Sequence, residues 1–160
     1  MKLLHPIFML GFLFWLYKQR SLGKSLLDRH GRLAKDETDF EATLAKHRFW
    51  GMILIGYCFA GLVAGAILTG MVYPEITVPF GQTYGHGYIG ALGLGCLVMS
   101  LVLGLSIKRV VKPKIRERFV TFHTNIIFLV AAFAVLSLLT GAGILVFGPS
   151  QAVTQIQVTP

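Results

Sequence analysis

The chain has 160 residues, 54% of them hydrophobic and 14% charged, with a mean hydropathy of +0.68 and a formal net charge of +8. Its apolar residues lie in blocks long enough to cross a ~30 Å hydrocarbon core, which excludes an ordinary soluble domain and predicts an all-α integral membrane protein. The basic excess does not point to nucleic acid. Every Lys and Arg except Lys2 lies in one of two segments between apolar runs, where the positive-inside rule and anionic headgroups account for them.

The first apolar run, residues 3–17, is short and follows Lys2 as a signal peptide would. However, Lys18, Gln19 and Arg20 stand where a small-residue cleavage site belongs, so a span over about residues 3–20 is expected. Pro6 is tolerated in a first helical turn, where backbone donors are spare. His5, Met9, Phe12, Leu16, Gln19 and Gly23 recur at helical spacing on one face, so the helix is expected to continue to about Gly23. Residues 20–46 mix both signs of charge and read as a solvated loop or surface helix, with His30 a solvent histidine.

A second span over about 49–73 is opened by KHRFWG, and its helical face carries His47, Gly51, Leu54, Cys58, Gly61 and Gly65. Prolines, glycines and Glu75 make residues 74–85 a compact loop, with Tyr73 and Tyr84 at headgroup level. The third span, about 84–107, opens GHGYIGALGLG and lines up His86, Gly90, Gly93, Leu97, Ser100 and Gly104. In the basic segment that follows, Pro113 is expected to end any helix. The fourth span, about 122–147, lines up His123, Ile127, Val130, Ala134, Ser137 and Gly141 before Gly148 and Pro149 close it. Residues 1–148 thus form a four-helix transmembrane bundle and 149–160 an uncharged tail. Cys58 and Cys96 lie deep in spans, outside any CxxC or zinc spacing, and read as small packing residues. No phosphate loop, nucleophile elbow, HExxH or dinucleotide fingerprint occurs.

One histidine opens each span. With up-down connectivity the two basic segments share the cytoplasmic or stromal side and both termini face away from it. His5 and His86 then share the outward level and His47 and His123 the inward one. In a simple up-down bundle spans one and three are diagonal across the core, as are two and four, so each pair projects inward from opposite walls. Zinc and copper usually require three or four close ligands, whereas two opposed imidazoles suit the axial positions of a haem iron. Each histidine has a glycine 18 residues later, Gly23, Gly65, Gly104 or Gly141, on the same face and ~27 Å along, at the level of the other pair. Those glycines are expected where a porphyrin edge must pass. Inward, Lys46, Arg48, Arg116 and Arg118 are candidate partners for haem propionates. Outward, Lys2 and neutral groups such as Gln82, Thr83 and Tyr84 are available. The cation-rich inward haem is therefore expected to have the higher potential.

One histidine on each of four consecutive spans, first pairing third and second pairing fourth, resembles the core of the cytochrome b561 superfamily of transmembrane dihaem electron carriers. HPIFML, KHRFWG, GHGYIGALGLG and HTNIIFLVAAFAVLSLLTGAGIL also resemble a membrane family of cyanobacteria and plastids known as a domain of unknown function. The likeness covers the spans but not residues 20–41 or the tail. It implies two b-type haems, His5 and His86 on one and His47 and His123 on the other, in a thylakoid or plasma membrane. This chain lacks the extra helix at each end of the six-span members and has no clear counterpart of their ascorbate-binding residues.

The expected function is transmembrane electron transfer, with lipid as environment and a redox donor and acceptor as partners. A haem-free structural or assembly subunit of a photosynthetic or respiratory complex, docking helices through its glycine faces, is the alternative. A quinone or ferric reductase using the outward haem is a third.

Overall fold

A computed structural model of the chain describes residues 3–31, 37–74 and 83–148. Four helices occupy them, α1 (Leu4–Gly31), α2 (Glu37–Val72), α3 (His86–Ile107) and α4 (Pro113–Phe147), with no strand among the described residues. Three segments, Asp39–Val72, His86–Ile107 and Pro113–Phe147, are long and apolar enough to cross a membrane. α1 is apolar only to Tyr17, after which Lys18 and Arg20 dilute it.

The helices outrun their apolar cores. α1 continues eight residues past the expected Gly23, and α2 begins in the acidic stretch before His47, so much of the first basic segment is helix. Pro113 was expected to end a helix and instead begins one, at the first turn of α4. Its missing N–H is no loss there, because the first four donors of a helix have no partner within it, and its fixed φ suits the helix start. Gly148, at φ 78°, ends α4 in a backbone conformation that side chains disfavour. Tyr84 and Gly85 turn the chain into α3, at φ 52° and 71°, and the His86 N–H donates to the Thr83 carbonyl. The expected loop over 74–85 otherwise falls outside the described residues, as do the tail and the His30 side chain.

α1 packs on α2, α2 on α3, α3 on α4 and α4 on α1, a closed ring. Its interior is made of the histidine faces. Phe12, Leu16, Leu54, Cys58, Leu97 and Val130 are all buried and all lie on those stripes, joined by Ile126. The outer surface is apolar too, with Phe14, Phe59, Val102, Phe128 and Leu139 among its exposed residues. That inversion of soluble-protein economy is what a lipid environment requires. Aromatic contacts tie the ring at intervals. Phe8 stacks on Tyr57 at 4.1 Å and Trp15 on Trp50 at 4.4 Å, both between α1 and α2, while Arg20 of α1 lies over the Phe128 ring of α4.

Candidate cofactor site

The four histidines of the stripes meet in two pairs. The rings of His5 and His86 lie 6.0 Å apart, centre to centre, and are turned 85° to one another. Those of His47 and His123 lie 6.1 Å apart at 75°. Two imidazoles bound on opposite sides of one metal ion, at ~2 Å each, stand with ring centres ~6 Å apart. Both gaps therefore have the width of a shared ion. Among the described residues no three His, Cys, Asp or Glu side chains converge. A tetrahedral site built of side chains alone has no donor set here, whereas a cofactor that brings its own equatorial donors needs only the two imidazoles.

The glycines lie against those imidazoles. A Cβ added at Gly23 would stand 3.3 Å from His47 Cε1, at Gly65 3.0 Å from His5 Cε1, at Gly104 3.2 Å from His123 Cε1 and at Gly141 3.2 Å from His86 Cε1. Each ring thus rests on the glycine of a sequential neighbour helix, α1 with α2 and α3 with α4, where a porphyrin edge was expected to pass.

The absence of a side chain matters for a reason one turn away. In an α-helix each Cβ leans towards the N-terminus and overhangs the carbonyl four residues earlier. Glycine leaves that carbonyl open. His123 Nδ1–H donates to the Ser100 carbonyl, four residues before Gly104, at 2.8 Å, with Ser100 Oγ 3.1 Å away. His86 Nδ1 lies 3.1 Å from Thr140 Oγ1, on the residue before Gly141; that hydroxyl donates to the Leu136 carbonyl and so accepts from the ring. His47 differs, because the neighbour 3.1 Å from its Nδ1 is the side-chain Nε2 of Gln19, an amide donor, so this Nδ1 accepts. That same Nε2 donates to the His47 carbonyl at 2.6 Å, reached because Gly51, four residues on, has no side chain. Where Nδ1–H donates, as at His123 and at His86, Nε2 is the nitrogen left to coordinate and the ring's orientation is fixed.

Gln19, Ser100, Ser137 and Thr140 are site residues that the histidine pattern does not name. A signal for three of them is present, since Gln19, Ser100 and Ser137 each stand 14 residues after a histidine, one turn before the glycine.

A cavity at the His5–His86 level is bounded by all four helices, with Met9, Gly65, Thr69, Gly90, Phe133 and Gly141 in its wall. At the other level, Lys46, Arg116 and Arg118 are exposed, while Arg48 is half-buried. Its Nε is out of contact with solvent and has no hydrogen-bond partner among the described residues. Thr83 is buried and Tyr84 exposed. Lys2 and Gln82 fall outside the described residues. Comparison with protein-family models, curated proteins and solved structures found no match to this chain.

Proposed function

We propose that the protein carries electrons across a membrane through two bis-histidine b-type haems, His5 and His86 holding the outward one and His47 and His123 the inward one. All four helices cross, in up-down order. Both termini lie on the non-cytoplasmic side, and the basic segments meet the cytoplasm, or the stroma if the membrane is a thylakoid. The observation that carries this reading is the ~6 Å spacing of both histidine pairs, each matched to one metal ion, with no third His, Cys, Asp or Glu side chain converging among the described residues.

A bound haem supplies a one-electron couple. The chain's own residues would do the rest: the four histidines would hold the haems, with the Ser100 carbonyl orienting His123 and the Thr140 hydroxyl orienting His86. The apolar walls exclude water. Arg48, with the exposed Lys46, Arg116 and Arg118, would receive carboxylates at the inward end. The two levels stand at most ~27 Å apart along the helices, and cofactor edges shorten that gap.

Reduced-minus-oxidised absorption spectra of the purified protein test the proposal. A b-type band is expected in the wild type, and about half of it is lost in each of the His86→Ala and His123→Ala variants. A protein with no such band after expression with ample haem is instead a helix-docking subunit.

A further inference from the structure

Gln19 is polar, only 8% exposed, and lies against the inward pair. Its amide has one possible orientation, because the atom 2.6 Å from the His47 carbonyl must be a donor, and Nε2 is the end that donates. That nitrogen also lies 3.1 Å from His47 Nδ1, so Nδ1 presents a lone pair and the proton of neutral His47 is on Nε2. His123 is the reverse. Its Nδ1–H donates to the Ser100 carbonyl, which leaves its Nε2 bare. The inward pair thus consists of one ring with Nε2–H and one with a bare Nε2, complementary as donor and acceptor. Among the described residues no amide donor meets the outward rings, where His86 Nδ1 faces the Thr140 hydroxyl and His5 Nδ1 has no partner. Holding Gln19 this way costs stability, since its Oε1 is buried with no hydrogen-bond partner among the described residues. Gly51 makes the room for it, because a Cβ there would stand 3.0 Å from Nε2.

Resting on the two-haem reading above, we propose that Gln19 is a positioning residue that keeps the proton of His47 on Nε2 while the inward site is empty, and so opposes its occupation. An imidazole that ligates through Nε2 needs that lone pair free and its proton on Nδ1. His47 must therefore move its proton from Nε2 to Nδ1, where it would meet the amide N–H, and Gln19 must withdraw. The ring is neutral before and after, so no proton is gained or lost and no electron changes hands. Where the proton sits in the empty site depends on Gln19, His47 and His123 alone.

The first measurement uses the full-length, haem-free protein in detergent micelles, with isotope-labelled histidine, at about pH 8.5, well above an ordinary imidazole pKa. Long-range proton–nitrogen correlations distinguish the protonated ring nitrogen from the bare one. His47 is expected with its proton on Nε2 and His123 with its proton on Nδ1. Gln19→Leu, close in volume, should leave His47 a mixture of the two forms and His123 unchanged, which also shows that the bundle is intact. Gly51→Ala should do the same with Gln19 retained, because the new Cβ crowds Nε2 away from His47. A wild-type His47 protonated on Nδ1, or one that neither variant moves, would overturn the role of Gln19 whatever the protein binds. The second measurement is a haem titration in a His86→Ala background, which keeps the inward pair complete. Gln19→Leu is expected to bind roughly 2–12-fold more tightly, the worth of one hydrogen bond, and unchanged or weaker binding would overturn the opposition to loading. Absence of a b-type band in every variant would overturn the two-haem reading, while the first measurement still decides where Gln19 places the proton.

Discussion

At Gly141 and Gly143 the same substitution should have opposite consequences, although the two residues lie two positions apart on one helix. A Cβ at Gly141 would meet the His86 ring at 3.2 Å, whereas one at Gly143 would meet nothing within 4 Å. On the two-haem proposal, Gly141→Leu drives His86 out of line with His5 and removes about half of the b-type absorbance, while Gly143→Leu retains both haems. Spectra normalised to protein concentration check this, and equal loss in the two variants would make the glycine a packing residue rather than a support for the ligand. The stripes that put His86 and Gly141 in the interior were legible from spacing alone, because a 3.6-residue period fixes which side chains share a face. The hydrogen bond that gives the glycine its purpose was not. A backbone carbonyl has no letter in a sequence, and Gln19, beside Lys18 and Arg20, reads as surface until its 8% exposure is seen.

The helices themselves were legible where apolar and obscure where charged. Pro113 has one meaning inside a helix and the opposite in its first turn, and nothing in VKPKIRER distinguishes them. Helical structure also persists through the basic ends of α1, α2 and α4, since a helix leaving a bilayer keeps its backbone bonds while its side chains change solvent. α1 is the element on which the proposed topology turns. One of its faces buries Phe12, Leu16 and Gln19, and the other exposes Ile7, Leu10, Phe14 and Tyr17. A helix apolar on both sides through Tyr17 is suited to lie between protein and lipid rather than on a headgroup surface. If α1 crosses, N-terminal and C-terminal tags lie on the same side of the membrane. Both should be cut together by protease added to sealed vesicles of one orientation and both spared in the other. Cleavage of one tag alone would reduce the crossings to the three apolar spans and detach His5 from the outward level.

Across the molecule's described residues the positive charge is gathered at the end where His47 and His123 meet, and its effect on the two proposed haems depends on where each cation sits. Lys46, Arg116 and Arg118 are exposed, so water and salt screen them over a Debye length of about 8 Å. Arg48 follows His47 directly, is half-buried and holds its Nε away from solvent. A charge in that setting acts through a lower effective dielectric, and because reduction makes the iron centre less positive, a nearby cation favours the reduced state. The hydrogen bond from His123 to the Ser100 carbonyl opposes this, since a stronger imidazole donor favours the oxidised iron. With Arg48 present, the inward haem is expected to titrate at the higher potential. Arg48→Gln keeps much of the side chain's bulk and removes roughly 1–2 kcal/mol of charge interaction, a fall of about 40–90 mV for one electron. The outward haem, at the other end of the helices, should not move. Lys46→Gln, removing an exposed charge, should shift the inward potential by much less. Redox titrations with the two haems assigned by His86→Ala and His123→Ala measure all three values. An outward haem of higher potential in the wild type, or equal shifts at both haems in Arg48→Gln, would show that ligand donation rather than local charge sets their order.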